Sequence, residues 1–278
     1  MMRIALISDI HGNLPALEAV LHDIQKNGVD QILCLGDLAN GGPFPAECVA
    51  TIQSLGLVTL QGNHELYVLN QVPDISPSDP SWRTVEWTRQ QLNPELLAYL
   101  DGLPLSYTLP CGNAISFHAS PLNQFWGFLP AHTNQEVAER MNDLDNVTLF
   151  VGHTHCPLYR LWSNTWIINC GSVGMPLDGS PHAKYCIATY DAGCWQVEFR
   201  AVAYDVGQVM RAYEERGLQQ EGGVFASLFR YQMLTGINLV TPYLSGLRQY
   251  ATLQGMDEAT AMTVYPVPAA IRHWTTNP

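Results

Sequence analysis

Basic residues are scarce in this chain. Of 278 residues, 13 are Lys or Arg against 25 Asp or Glu, a formal net charge of -12. Adhesion to nucleic acid or to an anionic membrane needs a cationic face, and no basic run exists to build one. A paired-cysteine signature is also missing. The seven cysteines, at 34, 48, 111, 156, 170, 186 and 194, are odd in number and contain no CxxC, so neither a disulfide framework nor a zinc knuckle fits. The expected compartment is the reducing cytoplasm. No apolar run approaches the length of a bilayer span, and Ile4-Ala5-Leu6-Ile7 is broken by Asp9 and His11 too early for a signal-peptide core. What is plentiful is apolar surface: 47% hydrophobic residues can bury a sizeable core, as one large domain or one domain with an appendage.

Against that background the polar residues that close apolar runs stand out. Val147 to Val151 ends in Gly152-His153-Thr154-His155, and in an extended backbone the two imidazoles would project to one side. Buried histidines at a strand end need a metal or a hydrogen-bonded network to satisfy them; a pair of surface loop histidines is the plainer alternative. Asp9-Ile10-His11-Gly12, Gly36-Asp37, Gly62-Asn63-His64-Glu65 and Phe117-His118 follow apolar runs in the same way. Asp, His and Asn together are ligands for a hard or borderline cation.

In order, Ile4–Ile7 reads as a strand covered on both faces, followed by a helix with Pro15 early, Leu17, Val20, Leu21 and Ile24 at helical spacing, and Gly28 at its close. The unit recurs at 31–35 and 57–60. Successive strand-helix-strand units imply parallel neighbours, with the polar turns at one C-terminal sheet edge. Residues 70–81 read as a surface loop and about 82–100 as helical, a helical insertion over about 70–104 in which Trp82 and Trp87 are packing residues. From 105 the pattern is strand-rich: a hairpin over 105–118, a helix over 134–144, the strand entering Gly152, then strands at 165–169, 184–191 and 195–203. A second sheet is expected. Beyond Asp205 one amphipathic helix and two less regular segments suggest no chemistry, only a packing appendage or an oligomer contact.

Asp-x-His, Gly-Asp, Gly-Asn-His-Glu, a lone strand-end His and Gly-His-Thr-His, in that order, resemble the calcineurin-like metallophosphoesterase superfamily, in particular its small bacterial phosphodiesterases and phosphatases. The resemblance runs from Arg3 to about Ala203. It implies an α/β fold, a four-layer αββα sandwich of two mixed β-sheets, over residues 1–204, with 205–278 as a helical C-terminal extension packed on the same domain. It also implies two divalent metal ions, Mn²⁺ foremost with Fe, Zn, Ni or Co as alternatives: Asp9, His11 and His155 on the first, Asn63, His118 and His153 on the second, Asp37 bridging. The Asn169–Gly174 stretch resembles a loop near the family's site, with Cys170 where Pro is usual; Ala119 follows His118 where Gly is commoner.

The implied reaction is hydrolysis of a phosphomonoester or phosphodiester by a hydroxide bridging two cations about 3.5 to 4 Å apart. His64 is the implied proton donor to the leaving group, with Glu65 orienting it or binding groups behind the ligands. Neutral His and Asn ligands preserve residual positive charge for a phosphoryl group. His22, His132, His182 and His273 match no motif and are expected on the surface or in packing. The substrate is expected to be a small phosphorylated molecule or a phosphoprotein, met by loops 40–46, 67–104 and 122–133, with no long nucleic acid and no membrane. A metal-binding interaction scaffold without turnover and a nuclease or nucleotide phosphodiesterase of the same superfamily stay open, as does a homo-oligomer.

Overall fold

The computed structural model describes residues 1–72 and 80–275; residues 73–79 of the loop expected at 70–81 lie outside the described set. The chain opens with β1 (Met2–Ile7), α1 (Leu14–Asn27), β2 (Gln31–Cys34), α2 (Pro45–Leu55), β3 (Val58–Thr59) and α3 (Asn63–Val68). The Asn13 side chain caps α1 by accepting from the Ala16 N–H, and Gly28 at φ 60° closes it. Strands β1, β2 and β3 are parallel neighbours, with Ile4 opposite Gln31 and Leu33 opposite Val58. Their polar turns therefore share one sheet edge, as the repeated unit implied.

Next come α4 (Arg83–Gln91) and α5 (Pro94–Asp101), then β4 (Ser106–Thr108), β5 (Ala114–Phe117), α6 (Asn134–Ala138), β6 (Thr148–Val151), β7 (Leu158–Trp162), β8 (Thr165–Asn169), β9 (Ala183–Asp191) and β10 (Cys194–Val202). Two mixed sheets result, in the orders β10-β9-β1-β2-β3 and β4-β5-β6-β8-β7. The continuous apolar run of β1 is explained by its two buried faces. Ala5 and Ile7 pack with Leu17 and Val20 of α1, while Ile4 and Leu6 meet Phe150 and Ile168 of the other sheet. Leu149, Val151 and Ile167 turn outward under Phe128, Val137 and Met141. Helix, sheet, sheet and helix thus follow in layers, the last a thin one.

Two expectations need correction. The helix expected over 134–144 stops at Ala138: Asn142 and Asp143 hold φ of 46° and 61°, which an α-helix cannot include. Strand β7 was not anticipated, because it is a sheet edge whose apolar Tyr159 and Leu161 stay exposed. The helices expected over about 82–100 are present, and their Val85, Leu92, Leu96 and Leu100 join the main core.

The tail is also more regular than expected, comprising α7 (Val206–Glu215), α8 (Leu218–Glu221), α9 (Gly223–Thr235), α10 (Val240–Gln254), α11 (Glu258–Met262) and α12 (Arg272–Thr275). Val209 and Tyr213 of α7 pack with Trp87 and Met175, and the Tyr213 hydroxyl donates to the Gly41 carbonyl. Among the described residues no helix is long and apolar enough to cross a membrane.

Candidate metal centre

Each of five strands ends in a turn that delivers donor atoms to the same place. Asp9 and His11 follow β1, Asp37 follows β2, Asn63 and His64 open α3 after β3, His118 follows β5, and His153 and His155 follow β6. The turns are laced together: the Asp9 and His11 N–H groups donate to the Gly36 and Asp37 carbonyls, both at 3.0 Å, and Gly152 N–H donates to His118 O at 2.8 Å. Asp9, His11, Asp37, His153 and His155 all have φ between 50° and 68°. This left-handed backbone overturns the extended geometry expected for Gly152-His153-Thr154-His155. The imidazoles diverge, one toward Asn63 at 2.8 Å and the other toward Asp9 at 3.4 Å.

Their divergence supplies two clusters. In one, the ligand atoms of Asp9, His11, Asp37 and His155 all lie within 4.8 Å of one another; in the other, Asp37, His118 and His153 do. His11 Nε2 is 3.0 Å from His155 Nε2. Asn63 Oδ1 lies 3.0 Å from His118 Nε2 and 2.8 Å from His153 Nδ1 and so joins the second cluster. Asp37 is common to both.

The outward ring nitrogens decide how the imidazoles present themselves. His11 Nδ1 lies 2.9 Å from Asn40 O, His118 Nδ1 2.8 Å from Leu35 O, His155 Nδ1 2.6 Å from Met175 O, and His153 Nε2 2.9 Å from Phe125 O. A carbonyl only accepts, so each outward nitrogen donates, and in the neutral form of each ring the lone pair is left on the inward nitrogen. Four lone pairs, one amide oxygen and two carboxylates point at one buried space. This donor set fits two divalent cations of borderline hardness.

Electrostatics make the same demand. Burial opposes charge on Asp37, but His118 and His64 more than reverse it and hold the carboxyl well below its usual range. Asp9 is likewise lowered, by His155 against burial. Burial lowers His118 and His155, yet Asp37 raises the first to about 9 and Asp9 lifts the second. Burial dominates at His11, pulled down to about 3, and at His153, pulled down to about 4, in both cases aided by a neighbouring imidazole. Two buried carboxylates thus call for positive charge beside them, and a divalent cation answers that more strongly than a proton.

His64 stands at the rim. Its backbone N–H donates to Asp37 Oδ1 at 2.8 Å, and the Asn40 amide donates to its Nδ1 at 2.9 Å, so Nε2 bears the proton. Burial lowers it to about 4, against the pull of Asp37. Of its two expected roles, Glu65 takes the one behind the ligands. Its carboxylate accepts from the Asp37, Gly62 and Leu38 N–H groups, each at 2.8 Å, and holds the β2 and β3 turns together. Burial pushes it up to about 7, with the nearby Asp37 charge adding to the rise.

The Asn169–Gly174 loop lies at the site as expected. Ser172 Oγ donates to Asp9 O at 2.8 Å, and a side chain at Gly174 would meet Ile10 O at 1.8 Å. Cys170 keeps the strand bond to Val151 O. Asn40 was missed, although Gly36-Asp37 three residues earlier marked its loop. Trp82 packs against the main core as expected and also lines a cavity of about 850 Å³ beside His64.

A model described as the Calcineurin-like phosphoesterase superfamily domain matches residues 2–193. The chain belongs to that superfamily. An uncharacterized protein of Methanocaldococcus jannaschii is 34% identical over 232 residues, 76% of this chain and 90% of that protein. Phosphodiesterase YfcE of Escherichia coli is 27% identical over 191 residues, 65% of this chain and 84% of its own. A metallophosphoesterase of Sphaerobacter thermophilus superposes with a TM-score of 0.70 at 32% identity, covering 85% of this chain and 99% of that one.

Proposed function

We propose that the chain is a binuclear metal-dependent phosphoesterase that hydrolyses a small phosphomonoester or phosphodiester. The observation that carries this reading is the pair of donor clusters sharing Asp37. Asp9, His11 and His155 would hold one metal, Asn63, His118 and His153 the other, with Asp37 between them; manganese is the first choice, and Fe, Zn, Ni or Co suit the same donors. When bound, such a pair lowers the pKa of water toward neutrality and offsets phosphoryl charge.

The remaining chemistry belongs to the protein. Water oxygen forms a bond to phosphorus, the ester P–O bond breaks, and the leaving oxygen takes a proton. His64 supports that step: Asn40 occupies Nδ1, so the Nε2–H hydrogen-bonds the leaving oxygen as that oxygen takes up the proton shed by the attacking water. Assistance of this kind to a leaving group contributes about 10²- to 10⁴-fold. Seven unpaired cysteines accord with a reducing cytoplasmic setting.

The test is turnover of 4-nitrophenyl phosphate and bis(4-nitrophenyl) phosphate by protein loaded with Mn²⁺, with metal content measured in parallel. Turnover with about two metals per chain, abolished by EDTA and restored by Mn²⁺, is expected. Metal uptake without turnover of any ester would instead favour an interaction scaffold.

A further inference from the structure

The cavity of about 850 Å³ opens beside Asn40 and His64, the residue proposed above to assist the leaving group. Resting on the phosphoesterase reading above, we propose that it is the leaving-group pocket, built jointly by α3 and the C-terminal helices, and that its occupant is an uncharged, ring-bearing alcohol of about nucleoside size. The volume lies within the range of about 300 to 1,000 Å³ that small-molecule sites occupy.

Its walls set the chemistry. Tyr67, Trp82 and Phe125 face it from the first three-quarters of the chain, and Phe229, Leu244 and Met262 from α9, α10 and α11. Tyr67 is 4.9 Å from Trp82 and 6.0 Å from Phe125, centroid to centroid, and 5.1 Å from His64. The aromatic wall is thus continuous with His64. Planar rings pack on such walls with offset or edge-to-face geometry.

Charge weighs against the main alternative, a leaving group that carries further phosphates. Arg248 and Glu258 are the charged side chains lining the cavity among the described residues, and they pair with each other at 3.4 Å. Among the described residues a phosphorylated leaving group would meet one lining cation, Arg248, with the Glu258 carboxylate beside it, and otherwise apolar walls. The tail, for which the sequence suggested no chemistry, therefore sets specificity.

Adenosine 5′-monophosphate and ribose 5-phosphate test this directly, since both release a primary alcohol and they differ by the ring. The expected kcat/KM ratio is about 30-fold or more in favour of the nucleotide, carried mostly by KM, and Leu244→Glu should collapse it below about 5-fold, in line with losing a buried apolar contact. Calorimetry on EDTA-treated full-length protein supplies a readout that needs no turnover: adenosine should bind, and adenosine triphosphate at least about tenfold more weakly. Equal kcat/KM for the two esters, tighter binding of the triphosphate, or no adenosine binding would each overturn the pocket assignment while leaving phosphoesterase activity intact. Adenosine binding in a protein that hydrolyses no ester would sink the activity and keep the pocket.

Discussion

Asp9, His11, Asp37, Asn40, His153 and His155 hold left-handed backbone angles, a conformation that costs non-glycine residues roughly 1 to 3 kcal/mol each. That such strain collects at the donors is consistent with a site kept in shape by the surrounding fold. Asn40 is the residue most dependent on this, since its amide sets the His64 tautomer and its carbonyl receives the His11 proton. Asn40→Ala should lower turnover about 10- to 100-fold with metal content near wild type. His64→Ala should lower it about 10²- to 10⁴-fold, again with metal retained. Steady-state kinetics and elemental analysis of the same samples check both, and concurrent loss of metal from His64→Ala would contradict its place at the rim.

Helix α1 is tied to β9 and β10 by a polar cluster away from the site. Asp23 Oδ2 accepts from Arg200 Nε at 2.8 Å and from the Tyr185 hydroxyl at 2.7 Å. The Arg200 bond holds the Asp23 carboxyl below its ordinary value, with Tyr185 contributing and burial opposing. A carboxyl whose pKa falls on folding adds stability that is present above its unfolded value, near 3.8, and disappears as pH drops through the folded one. Asp23→Asn should therefore reduce stability at pH 7 by about 1 kcal/mol and flatten the acid limb of stability below pH 4. Urea midpoints measured between pH 2.5 and 7 decide this. At this scale the sequence was a fair guide: the two-faced burial of β1 and the capping of α1 follow from local pattern. It failed at β7, an edge strand with exposed apolar residues, and after α6, which stops at Ala138 although its apolar periodicity would continue to Leu144.

Across the whole molecule, the proposed metals would join turns from both sheets. Binding that favours the native state raises stability by mass action, about 2.7 kcal/mol at a hundredfold excess over Kd, or roughly 5 to 11 °C in Tm for a chain of this size. Mn²⁺ should raise the Tm of the wild type by that order, and Asp37→Asn should remove the shift together with turnover; scanning calorimetry checks it. The same long-range assembly explains why the pocket was hidden. Trp82 and Leu244 sit in unremarkable helical patterns, and only their meeting near His64 makes a wall.

The sequence by itself determined which donors exist and where on the chain they fall, because apolar strands and the polar residues ending them are local features that survive without knowledge of partners. It also named the αββα frame through the order of those turns. Tertiary structure alone decided that His153 and His155 diverge, that Glu65 ties turns together instead of touching His64, and that the C-terminal helices close on the site. These depend on backbone angles imposed by neighbours and on contacts between distant segments, such as His11 with His155, 144 positions apart.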